Sequence, residues 1–181
     1  MTSKTLAVAT LALLCATGVQ AQTAATQGTG VYTELGYSFL RFKDGNTGGL
    51  KSFKGNGGML RGIVGYNAHE NLAVEGMVGL GVSGKKSRLG EDFYSAKPKN
   101  MFGVFVKPKV ALGDSAELYG RLGYASAKFD GDDKRRNGVA WGLGAAYRFT
   151  PELSITADYM RYHSKNSAAL DGLTLGVNYR F

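Results

Sequence analysis

Cysteine, proline, histidine and long apolar runs are all scarce in this chain, and each scarcity removes a class of protein. The one cysteine, Cys15, closes an apolar run near the N-terminus. No thiol follows it, so disulfides, Cys-ligated metals and thiol nucleophiles are excluded from the rest of the chain. The two histidines, His69 and His163, stand far apart. Beyond the first residues no segment approaches ~18 consecutive apolar residues, which excludes a transmembrane helix. Proline is rare (3) while glycine is abundant (27). Glycine mixed with aromatic and β-branched residues favours strands over helices.

The N-terminus reads as an export signal. Lys4 supplies a short positive region and Leu6 to Leu14 an apolar one, too short to span a bilayer as a helix. Val19-Gln20-Ala21 fits a small-residue cleavage site, so residues 1–21 are expected to be a signal peptide and 22–181 a single β-barrel domain. Leu14 precedes Cys15 where a lipoprotein signal carries a small residue, so no lipid anchor is expected. The formal charge of +8 falls to +7 when the signal removes Lys4 and no acid.

Period-two alternation dominates what remains. Leu173, Leu175, Val177, Tyr179 and Phe181 share one face, with Thr174, Gly176, Asn178 and Arg180 on the other. The same pattern runs through Val31–Phe39, Val139–Phe149 and Leu153–Tyr159. It is less clean in Leu60–Tyr66, Leu72–Leu80, Phe102–Lys107 and Glu117–Tyr124, for a total of eight strands. The connections alternate in length. Asn67–Asn71, Leu112–Ser115 and Thr150–Glu152 are tight, whereas Lys43–Gly58, Ser83–Asn100, Asp130–Asn137 and His163–Gly172 are longer and polar.

Eight alternating strands with short turns at one end and long loops at the other predict an all-β, eight-stranded antiparallel transmembrane barrel. The slightly negative mean hydropathy does not conflict, because only alternate residues face lipid. A soluble barrel would bury the apolar face. That face, however, carries Tyr37, Tyr66, Tyr124, Tyr147, Tyr159 and Tyr179, and aromatic residues belong at membrane interfaces. An even strand number puts both termini and the short turns in the periplasm.

The polar face carries charge. Glu34, Arg61, Glu75, Lys107, Glu117, Arg121, Asp158 and Arg180 are expected to form a lumen network, with Lys109 and Arg148 near its periplasmic end. An eight-stranded barrel is just wide enough for side chains to fill it. Unpaired charges inside would cost several kcal/mol each, so a plugged polar interior is expected rather than an open pore.

Gly144-Ala145-Ala146-Tyr147-Arg148-Phe149-Thr150-Pro151-Glu152-Leu153, followed by Ala157-Asp158-Tyr159, resembles the last periplasmic hairpin of OmpA-type transmembrane domains. Leu173 to Phe181 resembles their final strand. The resemblance implies that Val177, Tyr179 and Phe181 form the signal read by the outer-membrane assembly machinery. OmpA itself continues into a peptidoglycan-binding domain. The expectation here is a barrel alone, similar to opacity-type "porin family" surface proteins, with no peptidoglycan anchoring implied.

Enzymatic readings are weak. Gly79, Gly81 and Gly84 match G-x-G-x-x-G, but Lys85 to Gly90 has no helical period to receive a phosphate, and Lys86 stands where a P-loop needs Ser or Thr. His163 and Ser164 invite comparison with barrel lipid A deacylases, but adjacent residues in a strand point to opposite faces. No catalytic residue, cofactor or metal is expected, and no nucleic-acid partner. The expected role is a non-enzymatic outer-membrane barrel of a Gram-negative bacterium, with structural and adhesion-like surface contacts. The alternative is a small channel for ions or small hydrophobic compounds. Expected partners are outer-membrane lipids and lipopolysaccharide, the latter contacted by Lys85, Lys86 and Arg88 in the second long loop.

Overall fold

In the computed structural model the alternating segments close into a barrel. The structure describes residues 30–44, 53–84, 86–89, 92–95, 98–129, 135–165 and 168–181. The expected signal peptide lies outside the described residues. In chain order the strands are β1 (Gly30–Asp44), β2 (Phe53–His69), β3 (Leu72–Gly84), β4 (Lys86–Leu89), β5 (Asp92–Ser95), β6 (Pro98–Leu112), β7 (Ala116–Phe129), β8 (Arg135–Arg148), β9 (Leu153–Lys165) and β10 (Ala168–Arg180). Eight of them form the closed ring β1-β10-β9-β8-β7-β6-β3-β2, in which every pair is antiparallel. Strand β1 meets β10 from Tyr32↔Arg180 to Asp44↔Ala168, so the barrel sheet has no open edge.

Two expectations need correction. The region Ser83–Asn100 is not simply a loop: β4 and β5 pair with each other as a separate two-stranded sheet. The barrel strands also run several residues past their alternation, to Asp44, from Phe53, from Arg135 and to Lys165. Backbone pairing needs no apolar face, so the ladder continues where the apolar pattern stops.

The short turns are built locally. Gly113 has φ +73°, a left-handed conformation that favours glycine, in the turn between β6 and β7. Thr150 Oγ1 accepts the Leu153 N–H at 3.1 Å and donates to Glu152 Oε2 at 3.0 Å in the β8–β9 turn. His69 Nδ1 accepts the Asn71 N–H at 3.3 Å in the β2–β3 turn.

Sidedness is the reverse of a soluble protein. Leu143, Val104, Leu35 and Val139 are all more than 60% exposed on the outer wall, while Glu34, Arg61, Glu75 and Arg121 are at most 2% exposed inside. The six tyrosines expected on the apolar face do point outward, five of them 40–53% exposed and Tyr37 half-buried. At the short-turn end Tyr147 packs edge-on against Phe149 at 5.2 Å, and Tyr179 against Phe181 at 5.1 Å. Toward the long loops Tyr37 and Phe39 do the same at 4.9 Å. An aliphatic belt with aromatic pairs toward both ends suits a bilayer with two interfaces.

Candidate functional site: the lumen and its two ends

Three acids and three bases meet at mid-height, contributed by six of the eight barrel strands. Arg121 of β7 donates through Nε to Glu75 Oε2 (2.6 Å), through Nη1 to Asp158 Oδ2 (2.6 Å) and through Nη2 to Glu34 Oε2 (2.8 Å). Arg61 of β2 donates to Glu34 Oε1 at 2.6 Å and to both carboxylate oxygens of Asp158, at 2.9 Å for Oδ1. Lys107 Nζ lies 3.7 Å from Glu75 and 3.8 Å from Glu117. Charge is therefore balanced across the lumen, as burial of ions requires.

Tyrosines complete the network. Tyr32 Oη donates to Glu75 Oε1 at 2.5 Å, and Tyr119 Oη to Asp158 Oδ2 at 3.4 Å. Arg61 Nη1 reaches Tyr162 Oη at 3.4 Å. The Lys107 ammonium also lies 4.1 Å from the Tyr119 ring centroid.

Small residues make the space. A Cβ on Gly144 would lie 2.5 Å from the Tyr119 ring and 2.7 Å from Asp158 Cβ. Gly142 is just as confined: a Cβ there would lie 2.5 Å from the Tyr159 carbonyl oxygen. The inner face is therefore not uniformly tolerant of added atoms, contrary to what alternation alone suggests for Gly142.

Toward the long loops the lumen is apolar, a correction to the expected polar interior. Met59, Met77, Met101 and Met160 cluster there with Phe105, Tyr162, Leu40 and Leu170. These are all the methionines after Met1. Unbranched thioether side chains fill the irregular gaps between converging strands.

Toward the short turns the lumen opens. A shallow vestibule whose cavity is about 20 Å³ is lined by Thr156, Ser154, Lys109, Glu117, Arg148 and Arg180 among others. The expected network thus divides. Glu34, Arg61, Glu75, Lys107, Arg121 and Asp158 come together, and Glu117 joins through Lys107 and through Lys109 at 3.7 Å. Arg180 does not join: it lines the vestibule and pairs with no acid among the described residues.

The outer wall carries two arginine–aromatic sites near the long loops that sequence reasoning missed, one of them ion-paired. The Arg135 guanidinium lies 5.4 Å from the Phe102 ring centroid and donates to Ser126 Oγ (3.2 Å) and Asn100 Oδ1 (3.3 Å). Arg161 lies 5.7 Å from the Trp141 ring, donates to Tyr159 Oη at 3.3 Å and pairs with Asp171 at 2.7 Å. The signal was legible: both arginines fall on the outward parity of their strands, just beyond the last apolar residues.

Of the other expected sites, Val177, Tyr179 and Phe181 point outward at the short-turn end, and the Phe181 N–H bonds to the Val31 carbonyl at 3.1 Å. Lys85 lies outside the described residues. Lys86 and Arg88 sit on β4, but their side chains lie outside the description too. Among the described residues no cluster of His, Cys, Asp and Glu is arranged to hold a metal.

The sequence matches the outer membrane protein beta-barrel domain over residues 9–181. The chain belongs to this family of outer-membrane β-barrels. No curated protein sequence matches it. Among solved structures, the barrel is similar to Ail, the attachment invasion locus protein of Yersinia pestis, in complex with the heparin analogue sucrose octasulfate. Identity is 21%, TM-score 0.57, with 86% of this chain and all of that one covered. It is also similar to neisserial surface protein A (19%, 0.55, 86% and 100%) and to the outer membrane protein OprG of Pseudomonas aeruginosa (13%, 0.55, 85% and 97%). At these identities the likeness shows the shared fold of outer-membrane barrels. In that fold the short turns form the periplasmic end and the long loops the outer end.

Proposed function

We propose that this outer-membrane barrel is a non-enzymatic surface-contact protein of a Gram-negative envelope, whose basic outer end meets anionic ligands, lipopolysaccharide first. The observation that carries the reading is the filled lumen. Ion pairs close it at mid-height and methionines close it above, so the surface left for interaction is the outer wall and the loops. Arg135 and Arg161 support the lipid contact. Each lies beside an aromatic ring where the aliphatic belt gives way to polar residues. Guanidinium groups at that height suit the phosphates of lipid A.

Residues 22–181 act as the mature barrel, and Val177, Tyr179 and Phe181 as its assembly signal. The segment that follows β3 adds Lys85, Lys86 and Arg88 to the basic residues of the sequence. Ail, which shares the fold, was crystallised with a sulfated polyanion, a ligand of the same charge class. Replacing Lys85, Lys86 and Arg88 with glutamine is expected to weaken lipopolysaccharide binding at low salt. The difference should shrink as salt rises, because exposed charges are screened. A triple variant that binds as tightly as its parent at low salt removes this cluster from the contact. Transport of ions or small hydrophobic compounds, the alternative, requires the methionine layer to part.

A further inference from the structure

The last strand has a near copy inside the chain. Trp141-Gly142-Leu143-Gly144-Ala145-Ala146-Tyr147-Arg148-Phe149 aligns without a gap on Leu173-Thr174-Leu175-Gly176-Val177-Asn178-Tyr179-Arg180-Phe181. Both read Leu-Gly-x-x-Tyr-Arg-Phe, a pattern that occurs at no other place in the sequence.

The structure puts the two copies in equivalent places. Each lies at the short-turn end of its strand, with the phenylalanine immediately after β8 or β10. In each, the arginine backbone N–H donates to the carbonyl of the residue just before the neighbouring strand. Arg148 meets Ser115 at 2.7 Å, before β7, and Arg180 meets Glu152 at 2.8 Å, before β9. The two terminal rings meet edge-on in both copies, at 5.2 Å and 74° for Tyr147 and Phe149 and at 5.1 Å and 77° for Tyr179 and Phe181. Alternate residues from Trp141 to Phe149 and from Leu173 to Phe181 are exposed on the outer wall.

Position in the barrel does not account for the repeat. Strands β2 and β6 run in the same direction to the same end, but they close on Tyr66-Asn67-Ala68-His69 and on Val110-Ala111-Leu112. A strand therefore reaches the short-turn end without Tyr-Arg-Phe. Pairing in the closed barrel does not account for the arginine either. The Arg148 guanidinium reaches the main-chain carbonyl of Asp114 at 3.4 Å, and neither Arg148 nor Arg180 pairs with an acid among the described residues.

We propose that Trp141–Phe149 is a second, internal docking segment for the outer-membrane assembly machinery. This extends to Ala145, Tyr147 and Phe149 the reading of Val177, Tyr179 and Phe181 as the assembly signal, and rests on it. In the closed barrel β7 and β9 occupy both edges of β8, so the segment acts before those strands pair. At that stage its backbone is free to add to a partner's sheet edge, and its outward row supplies alternate apolar side chains for the partner's pockets. Two segments one hairpin apart on the same chain raise each other's local concentration at the machinery, so one holds when the other lets go.

The test delivers the full-length mature chain from urea to outer-membrane vesicles that hold the assembly machinery, and in parallel to protein-free vesicles of the same lipids. Heat-modifiable migration reads the folding rate in each, and the ratio of the two rates is the acceleration due to the machinery. Tyr147→Ser with Phe149→Ser should lower that acceleration about threefold or more, because one of two linked segments is lost. Val110→Ser with Leu112→Ser removes exposed apolar side chains from the same end of β6 and should keep the parent's acceleration. A photoreactive phenylalanine analogue in place of Ala145 should crosslink to the machinery, as one in place of Val177 does, and this arm decides if the β8 double variant does not fold. Phe181→Ser tests the terminal signal separately. If Phe181→Ser keeps the acceleration while the β8 variant loses it, the terminal reading fails and the internal segment stands. An acceleration equal to the parent's in the β8 variant, or no crosslink from position 145, overturns the proposal.

Discussion

Arg121 donates to carboxylates from three strands, β1, β3 and β9, and so ties distant parts of the ring together. Replacing it with methionine keeps much of the volume but leaves Glu34, Glu75 and Asp158 facing Arg61 and Lys107 alone. Removing one partner from a buried ion network costs about 3–5 kcal/mol. Urea unfolding of Arg121→Met in lipid vesicles should show a loss of that size, and an unchanged midpoint would contradict the network's role. Gly142 offers a second test at this scale. Gly142→Ser is expected to cost about 1–3 kcal/mol by overpacking against the Tyr159 carbonyl. Gly76→Ala, whose added carbon meets nothing nearer than 4.0 Å, should be close to neutral in the same assay. The lumen charges were legible because parity alone assigns Glu34, Arg61, Glu75, Arg121 and Asp158 to one face. The partnership of Tyr32, Tyr119 and Tyr162 was not, because it depends on how far each ring reaches across the barrel. The room made by Gly142 and Gly144 was hidden for the same reason.

The strands were legible wherever one face meets lipid. From Val139 to Phe149 the outward residues are apolar without exception, and the structure exposes Leu143 at 67%, the highest of the outward side chains named above. Leu143→Arg puts a charge into that belt and should cost about 2–4 kcal/mol near the midplane, read by vesicle unfolding. A loss well under 1 kcal/mol would mean that Leu143 does not face lipid. The last strand makes a different prediction. Phe181→Ser should lower the amount of heat-modifiable barrel in the membrane and leave protease-sensitive chain in the periplasm, and normal levels would count against an assembly role for this residue. Strand ends and the β4–β5 hairpin were not legible. Beyond the belt the residues are polar on both faces, as in Lys54-Gly55-Asn56, so hydrophobic period carries no signal although the backbone ladder continues. The four methionines had the parity of inward residues. Their assembly into one layer depends on the stagger between strands, which no single strand reveals.

The whole molecule is divided along its axis into three zones: an open cationic vestibule, a neutral ion network and an apolar cap. The division argues for contact at the surfaces rather than passage through the centre, since a hydrated ion would have to break buried pairs and then cross a methionine layer. The belt of exposed aliphatic side chains fixes where the membrane lies, and the rims of Arg135 and Arg161 mark its outer edge. The measurement that tests this account most directly is single-channel recording of the refolded barrel in planar lipid bilayers. The account predicts no steady conductance above the bare membrane. A stable, ohmic open state in the parent protein would contradict it.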